Sequence, residues 1–153
     1  MTDDFSVTGA DSFLALSKAL KAAGRGEMRK ALAKGLRDGA KPLIPLTRAA
    51  ARQQLPHSGG LADLVAGTPQ RIQVRTGADT AGVRLVVGKR RSGARGADEG
   101  TIRHPVFGHS VYVDQSVAPG WFTDTASKNV HVVLPALEAA ITDVIDQIVK
   151  GAR

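Results

Sequence analysis

The sequence predicts an α+β domain: a small antiparallel sheet packed by a long N-terminal helix, kinked at prolines, and by a C-terminal helix. Three observations carry this. A helical apolar stripe runs from Glu27 to about Gln54, short strand-like segments follow between residues 71 and 117, and a last apolar run from Val130 to Ile148 advances by fours and threes. The chain has 153 residues, enough for one domain with a real core. It has no cysteine, so disulfides, thiol chemistry and a Cys-ligated zinc are excluded.

Residues 1–10 read as a flexible tail, leaving 11–153 as a single domain. Asp11 or Ser12 can cap a short helix over 13–23, which Gly24 and Gly26 end. In the next helix Met28, Leu32, Leu36, Leu43, Leu46 and Ala50 share one face. Gly35 and Gly39 lie on that face and permit close approach of another backbone. Lys30, Lys34, Arg37, Lys41, Arg48 and Arg52 fall on the opposite side. Pro42 and Pro45 each remove a helical hydrogen bond, yet both stripes keep phase across them. One kinked helix or two nearly collinear ones result, about 42 Å long at 1.5 Å per residue. A compact domain of this size has a radius of gyration of only about 15 Å, so such a helix reaches past its own domain and favours an oligomer.

Pro56 breaks the helix, and Gly59-Gly60 turns the chain ahead of Leu61. Residues 71–75 and 83–87 pair as a hairpin, with the turn between Gly77 and Gly82. A basic, glycine-rich loop spans 89–100. Another strand pair covers 101–107 and 110–117, and Pro119-Gly120 turns into a final helix capped by Thr123 or Asp124 and running to about Lys150. Docking of this helix on the sheet is the expected use of its apolar face.

The net charge is +7 and unevenly spread. Residues 18–53 carry +8 and 89–103 carry +3, whereas 1–11 carry −3 and 104–153 carry −2. Such polarity suits an acidic partner, nucleic acid or another copy of the chain. The acidic start is unlike a signal peptide, and no apolar run approaches the roughly 20 residues of a membrane span; no membrane role is expected.

Signatures of catalysis are missing. The four histidines (His57, His104, His109, His131) have no metal-ligand spacing, there is no G-x-S-x-G, and Lys89 is followed by arginine where a Walker loop needs Ser or Thr. Asp98 and Glu99 sit among arginines, where ion pairing explains them. A non-enzymatic protein without a cofactor is expected. Lys89, Arg90, Arg91 and Arg95, or the helical stripe, can contact phosphates. But the aromatics lie mostly between 107 and 122, away from both basic clusters, so base stacking lacks support.

That aromatic cluster is the most specific feature. Arg103-His104-Pro105-Val106-Phe107-Gly108, then Gln115, then Pro119-Gly120-Trp121-Phe122, preceded by Lys41-Pro42-Leu43 and Gly59-Gly60-Leu61, resembles the tail-component family of long-tailed double-stranded DNA phages, especially its actinobacterial-phage branch. The likeness covers roughly residues 14–149. An aromatic, often tryptophan, is expected shortly before Gln115; Tyr112 and Val113 occupy that zone here.

The resemblance implies a virion structural protein of the neck or tail, assembled in the host cytoplasm. It would act in tail completion or head–tail joining as a cyclic oligomer, a hexamer matching tail symmetry, between adjacent neck and tail-tube proteins. Within that expectation, the basic helix and the Gly35/Gly39 notch are candidates for subunit contact. The loop 89–98 is the candidate for touching an adjacent ring or, nonspecifically, DNA in the lumen. Arg103 is expected to pair with Glu99 or a neighbouring subunit, and Phe107, Trp121 and Phe122 to pin the final helix to the sheet. Connector, stopper or tail terminator, and a free basic nucleic-acid-binding protein, are the alternatives.

Overall fold

A computed structural model describes residues 4–8, 11–22, 25–76, 81–88, 93–105 and 110–151. Their order is β1 (Asp4–Thr8), α1 (Asp11–Ala22), α2 (Gly26–Ala40), α3 (Leu43–Gln54), a 3-10 turn (Ser58–Gly60), α4 (Leu61–Ala66), β2 (Gln70–Thr76), β3 (Ala81–Val87), α5 (Ala94–Glu99), β4 (Thr101–Pro105), β5 (Tyr112–Ser116), α6 (Thr123–Lys128) and α7 (Val130–Gly151). The protein is a mixture of helices and small sheets, with long helices toward both ends, as the α+β reading requires. The chain forms two compact units. One takes Met1–Phe5, Ile44–Arg71 and Val86–Asn129; the other takes Ser6–Leu43, Ile72–Leu85 and Val130–Arg153.

The stretch expected to be one kinked helix or two nearly collinear ones, and the stretch expected to be a single final helix, are each divided in the structure. The first long helix divides into α2 and α3 at Lys41-Pro42, where Pro42 cannot donate and the Lys41 N–H turns back to the Asp38 carbonyl (3.3 Å). Pro45, by contrast, is the third residue of α3, inside the first turn, where a missing N–H costs nothing. The final helix divides into α6 and α7 at Asn129. Its side-chain amide donates to the Thr125 carbonyl (2.8 Å) and its backbone is non-helical (φ −105°, ψ 11°), so Asn129 ends one helix by competing for its carbonyls.

In the unit holding α2 and α7, the final helix runs against α2. A Cβ placed on Gly35 would lie 2.8 Å from the Ala140 Cβ, and one on Gly39 would lie 3.1 Å from the Ala136 Cβ. Residue numbers fall along α7 as they rise along α2, so the helices are antiparallel. Their small residues permit an approach that any larger pair would block. The Gly35/Gly39 notch is therefore filled by this chain's own helix. Leu32, Leu36, Ala40 and Leu43 are buried on one side, and Val133, Leu137 and Val144 on the other. Met28 is only half-buried, and Leu134, assigned by its spacing to the inward stripe, is exposed while Val133 takes the inner place.

The three-stranded sheet has the order β1-β3-β2. The four-residue link from β2 to β3 is too short for a parallel crossover, so these neighbours are antiparallel. β1 falls within the stretch read from sequence as a tail; a five-residue strand at a sheet edge is held by its neighbour's backbone, which leaves little trace in local pattern.

In the other unit, α3 buries Thr47, Ala50 and Ala51 and leaves Leu46 half-buried. Thr47 tolerates full burial because its hydroxyl meets the Gln70 Oε1 (2.7 Å) and the Ile44 carbonyl (3.0 Å). Gly59 and Gly60 both take left-handed φ (75° and 74°), making the turn that the glycine pair predicted. Leu61 then opens α4, a helix absent from the sequence reading, whose Ala62, Val65 and Ala66 are buried. β4 and β5 pair antiparallel as a separate ribbon, with Arg103 opposite Asp114, His104 opposite Val113 and Pro105 opposite Tyr112.

Candidate functional site

The motif residues fall into two structural roles. Trp121 and Phe122 are fully buried, with ring centroids 5.4 Å apart and planes tilted by 55°. The indole Nε1–H donates to the carbonyl of Ala94 (3.2 Å), which begins α5. Asp98, near the end of α5, is buried as well. Its Oδ1 accepts the backbone N–H groups of Phe122 (2.7 Å) and Thr123 (3.1 Å), and its carbonyl accepts the N–H of Gly120 (2.8 Å). A carboxylate from α5 thus caps the start of α6, where unpaired N–H groups favour negative charge. Gly120 has φ +83°, a left-handed backbone that L side chains rarely adopt, so the Pro119-Gly120 turn favours glycine there. Pro119 itself is exposed.

This network corrects three expectations. Asp98 was read as an ion-pairing partner for nearby arginines; it is a buried backbone cap. The arginine pair belongs to its neighbour, since Arg95 Nε lies 2.7 Å from Glu99 Oε1. Arg95 and Glu99 share a helix face at i,i+4, and one residue's rotation of about 100° turns Asp98 inward. Of the two partners expected for Arg103, Glu99 or a neighbouring subunit, Glu99 is not the one it meets within the chain: its guanidinium lies over the Tyr112 ring, 5.7 Å from the centroid. The hydrogen bonds of the P-G-W-F segment go to α5, a helix within what the sequence presented as a basic loop, rather than to a sheet.

The ribbon is the second role. β5 is exposed along its whole length, so Gln115, Tyr112 and Val113 face solvent; of β4, Ile102 is buried, His104 is half-buried and Arg103 is exposed. A lone two-stranded ribbon is marginal in water, and this one is anchored at its base by α5 and by the Val117 N–H donating to the Gly100 carbonyl (3.0 Å). Phe107, Gly108 and residues Lys89, Arg90 and Arg91 lie outside the described residues.

The basic helical stripe is largely balanced within its own helices. Lys30 pairs with Glu27 (2.8 Å), and Lys34 (3.4 Å) and Lys41 (2.7 Å) both reach Asp38. The hydrogen bond from Lys41, joined by the charge of both lysines, holds the Asp38 carboxyl below the usual carboxylate range. Arg37 is exposed, Arg52 Nε lies 3.4 Å from Asp63, and Arg48 is half-buried with its Nε lacking a hydrogen-bond partner. The four on α2 or just beyond it (Lys30, Lys34, Arg37, Lys41) lie in one unit and the two on α3 (Arg48, Arg52) in the other, so the stripe belongs to two bodies.

Among the described residues no group of three or more His, Asp or Glu side chains could hold a metal ion, and no helix is long and apolar enough to cross a membrane. Neither a protein-family model, nor a curated protein, nor a solved structure matches the chain.

Proposed function

We propose that this chain is a non-enzymatic structural subunit of a long-tailed phage particle, closing into a ring at the head–tail junction or at the top of the tail tube. The observation that carries the reading is the division of labour inside the R-H-P … P-G-W-F segment. Its tryptophan and second phenylalanine are consumed in a buried staple with Asp98, while the adjoining strand is exposed from end to end. A ring subunit needs that combination: a stiff body, and a protruding surface that neighbouring copies complete. The resemblance of the segment to phage tail components supplies the setting, and the net charge of +7 suits a place beside acidic neighbours or DNA.

Solution mass tests the reading. Light scattering at about 150 mM salt, near the physiological ionic strength, and again at several-fold higher salt should return the mass of a closed ring. A monomer under both conditions, together with duplex-DNA affinity that falls by orders of magnitude over a few-fold rise in salt, would overturn it in favour of a nucleic-acid-binding protein.

A further inference from the structure

The β2–β3 hairpin gathers cations on one face. From Leu64 to Ala97 the chain carries seven cations, six of them arginine, against a single acid, Asp79. β2 and β3 have seven residues each, with 77–80 between them, so Thr76 stands opposite Ala81. The Gly88 N–H donating to the Pro69 carbonyl (2.8 Å) gives the same register at the far end. Ile72 is then opposite Leu85 and Val74 opposite Val83. This face is the inner one, since Ile72, Val83 and Leu85 are buried.

The alternate residues make the outward face. Gln73 stands opposite Arg84, and Arg75 opposite Gly82. Arg75 is exposed, whereas Gln73, Gly82 and Arg84 are half-buried. Arg75 forms no ion pair or hydrogen bond among the described residues. The lysines of α2, by contrast, have carboxylates of their own helix beside them. Arg75 and Arg84 are diagonal neighbours, about 7–8 Å apart on such a ladder. Like charges side by side weaken a sheet, and the four described residues of this face in the unit include no acid. The arrangement suits a dense anion outside the chain.

Composition selects which anion. A protein partner is held by an apolar interface core, and none of the exposed large apolar side chains lies on this hairpin. Contacts to nucleic acid are polar and strongly positive. Arginine's planar fork takes two phosphate oxygens at once, and a glutamine amide donates to another. No aromatic residue occurs between Phe13 and Phe107, so bases have nothing to stack on here.

We infer that the outward face of the β2–β3 hairpin, with Arg75, Gln73 and Arg84 as its donors, is a contact for the phosphate backbone of duplex DNA, made without regard to base sequence. The inference goes beyond the ring reading and does not depend on it.

Fluorescence anisotropy of the full chain with a short labelled duplex of arbitrary sequence tests it. Over about 50–200 mM salt the logarithm of the affinity should fall linearly with that of salt, alike for duplexes of different sequence. Arg75→Gln, at an exposed position, should make the slope shallower by about 0.9. Arg75→Gln/Arg84→Gln should do so by about 1.8 and weaken binding roughly tenfold or more at the lower salt. Arg75→Lys should keep the slope. Lys30→Gln/Lys34→Gln removes the same charge from α2, where carboxylates match it, and should leave the slope unchanged. Circular dichroism checks that each variant is folded, and where Arg84→Gln disturbs the fold, Arg75→Gln alone decides. No binding at about 50 mM salt, a slope unmoved by Arg75→Gln, or an equal loss in the α2 variant would each overturn the contact. So would binding of poly-glutamate in place of DNA, which would mark an acidic protein as the occupant. Solution mass keeps the two readings apart. A ring that ignores DNA removes this contact and leaves the ring, and a monomer that binds DNA through Arg75 does the reverse.

Discussion

Replacing Gly35 by alanine pits two opposing effects against each other at one site. Gly35 is interior to α2, where alanine is favoured over glycine by about 1 kcal/mol. If nothing lay opposite, Gly35→Ala would raise stability by that amount. But the new Cβ would sit 2.8 Å from the Ala140 Cβ, and carbon contacts settle near 3.5–4.0 Å. Neither atom belongs to a flexible side chain, so α7 must back away by about 1 Å, or the helix must bend. Overpacking of this kind costs about 1–3 kcal/mol. The net expectation is a loss of about 1 kcal/mol, or about 2–4 °C in Tm for a protein of this size. Gly35→Leu should cost several times more. The reciprocal change separates sterics from propensity: in Gly35→Ala/Ala140→Gly the methyl moves from one helix to the other and the clash vanishes. The double mutant should then be more stable than the two single effects predict, by about 1–2 kcal/mol of coupling. Gly26→Ala is the control, since a Cβ there meets nothing within 4 Å. Thermal and urea unfolding followed by circular dichroism would measure these variants together with the Ala140→Gly single mutant that the coupling requires. A rise in Tm for Gly35→Ala with strict additivity in the double mutant would refute the close antiparallel packing of α2 on α7.

Three other expectations follow from the second unit and the α2 surface. Asp98→Ala removes the acceptor for two buried N–H groups at the start of α6 and should lower stability by about 2–3 kcal/mol, with Asp98→Asn in between; a chemical melt unmoved by either change would contradict the cap. Trp121 is the chain's single tryptophan, so its fluorescence should be blue-shifted and resistant to iodide, and Trp121→Phe, which removes the indole's hydrogen bond to the Ala94 carbonyl and part of a buried ring, should cost about 1–2 kcal/mol; emission at a solvent-exposed wavelength would place the ring elsewhere. Because the folded pKa of Asp38 is depressed by Lys41 and Lys34, its contribution to stability is present at neutral pH and lost as pH falls through the carboxylate range and below it. Carboxyl chemical shifts followed by NMR should show Asp38 titrating below the usual aspartate value, with the shift removed by Lys41→Ala.

The elements differ in how openly the sequence declared them, and the reasons are physical. Helices and strands with a one-sided apolar pattern, such as Leu32, Leu36 and Leu43 or Val83 and Leu85, bury the residues their periodicity assigns. Breaks were harder to place: Pro42 and Pro45 look alike in sequence, but only Pro42 falls where its missing N–H matters. Short helices hid in what read as loops. Six residues, as in α4 and α5, carry less than two turns of periodicity, and their buried faces are mostly alanine. Of the candidate site, the aromatic-glycine segment was legible as special by composition, but its function as a staple was not. That depends on Asp98, whose neighbours in sequence suggest surface ion pairing and whose partners lie more than twenty residues away.

By itself, then, the sequence determined the α+β class, the positions of the strong amphipathic elements, the charge polarity and the need for glycine at the 59–60 and 119–120 turns. Each of these depends on local periodicity or on the backbone freedom of a single residue. Tertiary structure alone decided that α7 lies along α2 with Gly35 against Ala140, that Asp98 caps α6, and that the β4–β5 ribbon is left exposed. Those outcomes depend on which surfaces meet, and a helix's apolar face specifies that it must be covered without specifying by what.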